Sequence, residues 1–149
     1  MSEAEEQRYT EIIGKLQEEL RGTDLERALK LIAEDRLDDA LALLSEKENA
    51  EEEEIEKIAR ARFAKAQVLE LKLLYRDALE YYAKAAQLAP ANTAYLNELG
   101  GMHYTLGDYD QAIEYYEKAL KVVKQLGLDH MVRGVAENLA YAKKNLESQ

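Results

Sequence analysis

ARARFAKAQVLELKLLYRDALEYYAKAAQLAPAN (residues 59–92) and TAYLNELGGMHYTLGDYDQAIEYYEKALKVVKQL (residues 93–126) are consecutive and align without a gap at a period of 34. Matched positions carry matched residues: Tyr75 with Tyr109, Ala78 with Ala112, Glu80 with Glu114, Tyr81-Tyr82 with Tyr115-Tyr116, and Lys84-Ala85 with Lys118-Ala119. Self-similarity at such a spacing marks a repeat architecture, in which each unit buries its apolar face against its neighbours. Each matched type has a use in a helix pair. Ala78 and Ala112 are small where two helices cross closely, and Ala85 and Ala119 return to the same face seven residues later. Tyr82 and Tyr116 supply bulk for the adjacent hole. Gly107 ends a helix where positive φ is cheap, Asp108 is placed to cap the next, and Pro90 follows a helix that it cannot continue.

The period and the pattern Leu99-Gly100, Gly107-Asp108-Tyr109, Ala112, Tyr116, Ala119, with Pro90 in the closing position, resemble the tetratricopeptide repeat. The resemblance is specific over residues 59–126, weaker over 21–58 and 127–149, and absent over 1–20. Three positions depart from it. Ala66 stands where the second copy has Gly100, Leu73 where it has Gly107, and His103 where the family usually carries an aromatic side chain. Upstream, RLDDALALL (36–44) resembles LYRDALEYY (74–82) at an offset of 38, pairing Leu37 with Tyr75, Ala40 with Ala78 and Leu44 with Tyr82. Downstream, ENLAYAKKN (137–145) resembles NELGGMHYT (97–105) at an offset of 40. The longer offset, and Leu126-Gly127-Leu128-Asp129-His130 ahead of an Asn-Leu-Ala, look like the kinesin-light-chain subtype.

The resemblance implies an all-α fold: antiparallel helix pairs stacked as a right-handed α-α superhelix of about eight helices. One domain over residues 1–149 is expected. It divides into an N-terminal capping helix (1–22), a degenerate repeat (23–58), two full repeats (59–92 and 93–126) and a closing helix (127–149). Capping patterns set the boundaries. Ser2 with Glu5 opens a first helix to about Arg21, closed by Gly22, and Thr23 with Glu26 opens a second to about Glu34. A third runs from Asp38 to about Glu46, and Asn49 with Glu52 opens a long fourth to about Leu74. The remaining helices span about 76–88, 93–106, 109–126 and 130–147. In the first, Tyr9, Ile12, Ile13, Leu16 and Leu20 form one apolar stripe. It is expected to cover the second and third helices as an end cap; self-association through the same stripe is the alternative.

Composition supports helices and removes several function classes. A single proline and seven glycines interrupt 149 residues, and β-branched residues are sparse. The chain has no cysteine, which excludes disulfides and thiolate metal sites. The start MSEAEEQRYTEII is not a secretory signal, and no apolar run approaches the roughly 20 residues that span a bilayer; a cytoplasmic location is the expectation. The net charge is −10, and residues 1–56 hold 19 acidic against 7 basic side chains. Such a front half repels phosphate backbones, so no nucleic acid is expected. It serves either as a solvated surface or as a face that steers a basic partner.

No residue pattern supports catalysis. Ser2, Ser45 and Ser148 have no nearby histidine, and neither a phosphate loop nor a nucleophile elbow is present. His103 and His130 are not spaced as ligands, and the acidic run Glu51 to Glu54 reads as a solvated helix start, so neither metal nor cofactor is expected. The ten tyrosines fall mostly at repeat core positions. Tyr81 and Tyr115 lie beside those positions, at partly exposed ones.

The resemblance implies a module that binds a protein or peptide on a concave face lined by the first helix of each repeat. Carried over by position, the candidate partner-binding residues are Arg60, Phe63 and Gln67, with Ala64, Glu70 and Leu71; then Asn97, Glu98, Gly101 and Tyr104; then Asn138 and Tyr141, with Asn145. Some family members grip a terminal carboxylate with lysines at such positions. Those lysines are missing here, and Glu70 and Glu98 would repel a carboxylate, so an extended or helical peptide is the expected ligand. The alternatives are a self-assembling unit that forms a homo-oligomer, and a recruitment domain of a larger enzyme.

Overall fold

The computed structural model describes residues 2–23, 25–49 and 55–149. Among these residues there are eight helices: α1 (Glu3–Leu20), α2 (Glu26–Ala33), α3 (Leu37–Asn49), α4 (Ile55–Leu71), α5 (Tyr75–Leu88), α6 (Thr93–Thr105), α7 (Tyr109–Gln125) and α8 (Asp129–Glu147). They fall into two compact units, Met1–Tyr81 and Tyr82–Gln149, so α5 is shared between them.

The chain leaves four of these helices by one geometry. Asp35 (φ 56°), Leu73 (φ 63°), Gly107 (φ 81°) and Gly127 (φ 68°) are all left-handed. After each, the next amide donates to the carbonyl five residues back: Arg36 to Leu31 at 2.8 Å, Leu74 to Leu69 at 3.0 Å, Asp108 to His103 at 2.8 Å and Leu128 to Val123 at 2.9 Å. The left-handed residue's own amide bonds three residues back, for example Leu73 to Glu70 at 2.9 Å and Gly107 to Tyr104 at 3.0 Å. These paired bonds are the Schellman motif, which satisfies carbonyls that a helix end leaves open. The first three corners are spaced by the 38 and 34 residues of the sequence alignment, so the degenerate copy turns where the full repeats turn.

The helix starts are less uniform. Ser2 Oγ accepts from the Glu5 amide at 3.1 Å, as its pattern predicts. Asn92 does the same for Tyr95 at 3.1 Å. Thr23 is not the cap of α2. That position is Leu25, and Thr23 Oγ1 accepts from the Leu25 amide while donating to the Leu20 carbonyl at 2.6 Å. The hydroxyl thereby ties the end of α1 to the start of α2. Asp108 occupies the cap position of α7 but makes no capping hydrogen bond. Asn49 does not open α4, since it is the last residue of α3, and Glu52 with the acidic run 51–54 lies outside the described residues.

In unit 1, α3 packs on α2 and α4, whereas α1 packs on α2 and α4. The end cap expected over the second and third helices therefore seats on the second and fourth. Its buried Ile12, Leu16 and Leu20 join Leu25, Ala28, Ile32, Ala40, Leu44, Ala61, Ala64 and Val68 in one core. Each such side chain contributes about 2 kcal/mol on burial, against about 1 kcal/mol for the Ser2 cap, so the stripe is what holds α1 in place. In unit 2, α7 packs between α6 and α8, around Ala112, Tyr116, Leu139 and Ala142. Ala112 and Ala119 are fully buried, as close helix crossings require.

Candidate functional site

Each unit presents one face on which sequence-predicted binding residues lie. In unit 1 that face belongs to α2 and α4, and α1 covers it. Arg8 of α1 reaches Glu70 of α4 with both arms of its guanidinium: Nε donates to Oε2 at 2.6 Å and Nη2 to Oε1 at 2.9 Å. A bidentate, charge-assisted pair is short and directional, and Glu70 is only 5% exposed. At the other end of α1, Glu19 lies in the field of Arg60. Burial pushes the Glu19 carboxyl up from its ordinary value, the Arg60 charge pulls it back, and Glu18 pushes it up again. Burial also raises the Tyr75 phenol, with Glu5 and Glu70 adding to the effect.

The predicted residues of unit 1 are placed accordingly. Arg60 is half-buried, Phe63 is buried, and Ala64 and Leu71 pack in the core that holds Ile12 and Leu16. Gln67 is fully buried, and neither its amide oxygen nor its nitrogen makes a hydrogen bond. Glu70 is engaged by Arg8. Sequence reasoning did not single out Arg8, though a signal was present: it stands four residues ahead of Ile12, in line with Leu16 and Leu20, as a charge on an otherwise apolar stripe.

In unit 2 the face belongs to α6 and α8, which touch each other beside α7. Asn138 Nδ2 donates to Asn97 Oδ1 at 3.1 Å, joining the two helices through their side chains. Asn145 Nδ2 donates to the Tyr104 hydroxyl and to the Tyr141 carbonyl, each at 2.8 Å. The Tyr104 ring stands edge-on to Tyr109, with centroids 5.3 Å apart. Tyr104, Tyr116, Asn138 and Tyr141 line a pocket of about 280 Å³. Tyr141 is 61% exposed beside it. Gly101 does not line it, although a Cβ there would meet the Tyr116 hydroxyl at 3.6 Å. Glu98 is buried and is not part of the open surface. The polar atoms here are amides and phenols, groups that can both donate and accept and so suit a peptide backbone.

Tyr81 and Tyr115, one in each unit, have a lysine over the ring: Lys65 Nζ at 4.1 Å from the Tyr81 centroid and Lys118 Nζ at 4.9 Å from that of Tyr115. Lys65 also donates to the Tyr81 hydroxyl at 2.8 Å. His103 stacks on Tyr115 at 5.5 Å with ring planes 5° apart. Among the described residues no group of three or more His, Asp or Glu side chains is placed to hold a metal ion, and no helix is long and apolar enough to cross a membrane.

A family profile described as tetratricopeptide repeat matches residues 90–142. The match begins at Pro90 and takes in α6, α7 and most of α8, the elements that build the Asn97–Asn138 face. Over that stretch, about a third of its length, the chain is similar to the tetratricopeptide repeat. Such repeats generally mediate protein–protein interaction.

Proposed function

We propose that the chain is a protein-interaction module without catalysis of its own, and that unit 2 takes a peptide segment against α6 and α8. The observation that carries this reading is the exposed Tyr141 beside a pocket walled by Tyr104 and Tyr116, next to the paired amides of Asn97 and Asn138. Aromatic side chains that are already ordered lose little entropy on binding, and flanking amides satisfy the backbone of an extended ligand. Glu70 does not enter into this ligand's charge preference, because Arg8 already neutralises it. The spacing of 40 between the α6 and α8 segments is the feature that favours a kinesin-light-chain-like subtype.

A library of displayed twelve-residue peptides, selected against the full chain, tests the reading. The affinities of the selected peptides are then measured by calorimetry on wild type, Tyr141→Ala and Asn138→Ala. Each substitution should weaken binding at least tenfold, about 1.4 kcal/mol. Neither position carries the core, so helical circular dichroism should stay unchanged. Peptides that bind all three proteins equally would remove this face as the site.

A further inference from the structure

We infer that the α2/α4 face of unit 1 is a receptor for an amphipathic helix, that α1 is its resident occupant, and that a partner helix of the same pattern displaces α1. That pattern is an arginine followed at four-residue intervals by three apolar side chains, as Arg8, Ile12, Leu16 and Leu20 are.

The geometry fixes direction as well as composition. Arg8 meets Glu70, and Glu19, eleven residues further along α1, meets the field of Arg60, ten residues earlier in α4. At 1.5 Å per residue these are separations of about 16 and 15 Å, so α1 runs antiparallel to α4, with the Arg8–Glu70 ion pair near one end and the attraction between Glu19 and Arg60 near the other. Ile12 and Leu16 lie between them and Leu20 just beyond Glu19, all three buried in one core with Ala61, Ala64 and Val68. Apolar anchors one turn apart, with a directional charge to set register, are the elements of a helix-in-groove complex.

Three features show α1 to be an exchangeable occupant rather than a fixed part of the stack. It lies outside the repeat, joined through a short connector that contains Gly22 at φ +76°. It carries Gly14 at mid-helix, where a Cβ would meet nothing within 4 Å. A helix-interior glycine with no packing reason weakens the free helix. Finally, burial of Glu19 outweighs the attraction of Arg60, so α1 carries a desolvation cost that a partner helix without that carboxylate escapes. A tethered occupant competes at millimolar effective concentration. An incoming helix therefore binds measurably only when it is better matched or when α1 has been released.

The test uses the full chain and a fluorescein-labelled peptide of residues 2–22, followed by anisotropy. Wild type should bind it weakly. Arg8→Glu, which sets two carboxylates against each other, should bind at least tenfold more tightly, because the peptide still carries Arg8. Adding Glu70→Arg to Arg8→Glu restores the tethered pair and should return peptide affinity to the wild-type level or below. Gly14→Ala should weaken trans binding below wild type by strengthening the resident helix. Equal affinity for wild type and Arg8→Glu would overturn the inference, as would tight binding by the double variant. If Arg8→Glu loses its helical circular dichroism, Arg8→Gln is read by the same criteria. An Arg8→Glu dimer in sedimentation that excludes the peptide would overturn the partner assignment in favour of a second copy. All these variants lie in residues 8–70, so their failure leaves the α6/α8 reading untouched.

Discussion

The faces of α4 and α6 are built at matched positions of two repeats, and they have opposite fates: α1 covers the first, while the second borders an open pocket. Substitutions at five matched positions account for this. Phe63 becomes Asn97, Ala64 becomes Glu98, Gln67 becomes Gly101, Glu70 becomes Tyr104 and Leu71 becomes Thr105. Unit 1 thus offers small and apolar surface with one buried carboxylate, which suits an amphipathic helix carrying an arginine. Unit 2 offers amides and a phenol, which suit a backbone. The shared corner geometry shows that the frame is common to both. The side chains on the first helix of each pair decide what sits there.

The largest expected effect comes from making the two repeats alike at one more matched pair, Ala66 and Gly100. An added Cβ at Gly100 would lie 2.8 Å from both Cδ1 and Cε1 of Tyr116 and 3.3 Å from Cζ. Those atoms are ring carbons of a buried side chain, so they cannot swing aside. Overpacking of this kind costs about 1–3 kcal/mol. A helical alanine returns roughly 0.5–1 kcal/mol. Gly100→Ala should therefore destabilise the chain by about 1–2 kcal/mol in urea denaturation. It should also disturb the pocket, one wall of which is that same ring. A neutral or stabilising result would mean that the ring is not fixed, and the contrast between the faces would lose its structural basis in unit 2.

How far this was legible in the sequence depends on how local each cause is. Helix number and most boundaries followed from turn residues and periodicity, which act within a few residues, whereas the α3–α4 boundary expected at Asn49 did not, since Asn49 is the last residue of α3. The α2, α4 and α6 corners fell where the alignment put them, even where Leu73 or Asp35 replaced glycine. Caps were harder, because a capping side chain chooses among local partners. Thr23 bonds the end of α1, and the Asp108 carboxylate stands 3.8 Å from His103 Nδ1. The seat of α1 was the least legible feature. The stripe showed that α1 needed cover. What it covered depended on Glu70, 62 residues away, and no local pattern links that residue to Arg8.

The corners offer a second, smaller way to sharpen the comparison. Leu73 holds φ 63° where Gly107 holds φ 81°, and a left-handed conformation costs a residue with a Cβ about 1–2 kcal/mol. Leu73 is 52% exposed, so little burial compensates. Leu73→Gly should stabilise by about 1 kcal/mol, once the extra chain entropy of glycine is set against the relieved strain. Gly107→Leu should destabilise by a similar amount. The two are read as one exchange in thermal melts. If both changes are neutral, the Schellman bonds rather than φ set the stability of these corners.

The smallest effect concerns pH and belongs to unit 2 alone, because His103 replaces the Leu69 of the matched position. The His103 ring is stacked on Tyr115, and its Nδ1 makes no hydrogen bond; 3.8 Å to the Asp108 carboxylate is too long for one. Burial pushes the imidazole below its ordinary value of 6.5, against the opposing pull of Asp108 and Glu114. The sign follows from linkage. With the folded value below the unfolded one, the unfolded chain binds more protons in the window just beneath pH 6.5, so stability drops as the pH falls through that window. His103→Phe keeps the stack and removes the titration. The stability difference between variant and wild type should therefore be constant above pH 6.5 and grow in favour of Phe as the pH falls beneath it. Carboxylates elsewhere titrate in both proteins and cancel in that difference. The effect should be smaller than either substitution above, since the ring is only partly desolvated. A difference that stays flat to pH 5, measured by urea denaturation, would mean that protonation meets no penalty there and that the Asp108 carboxylate closes on the ring when it charges.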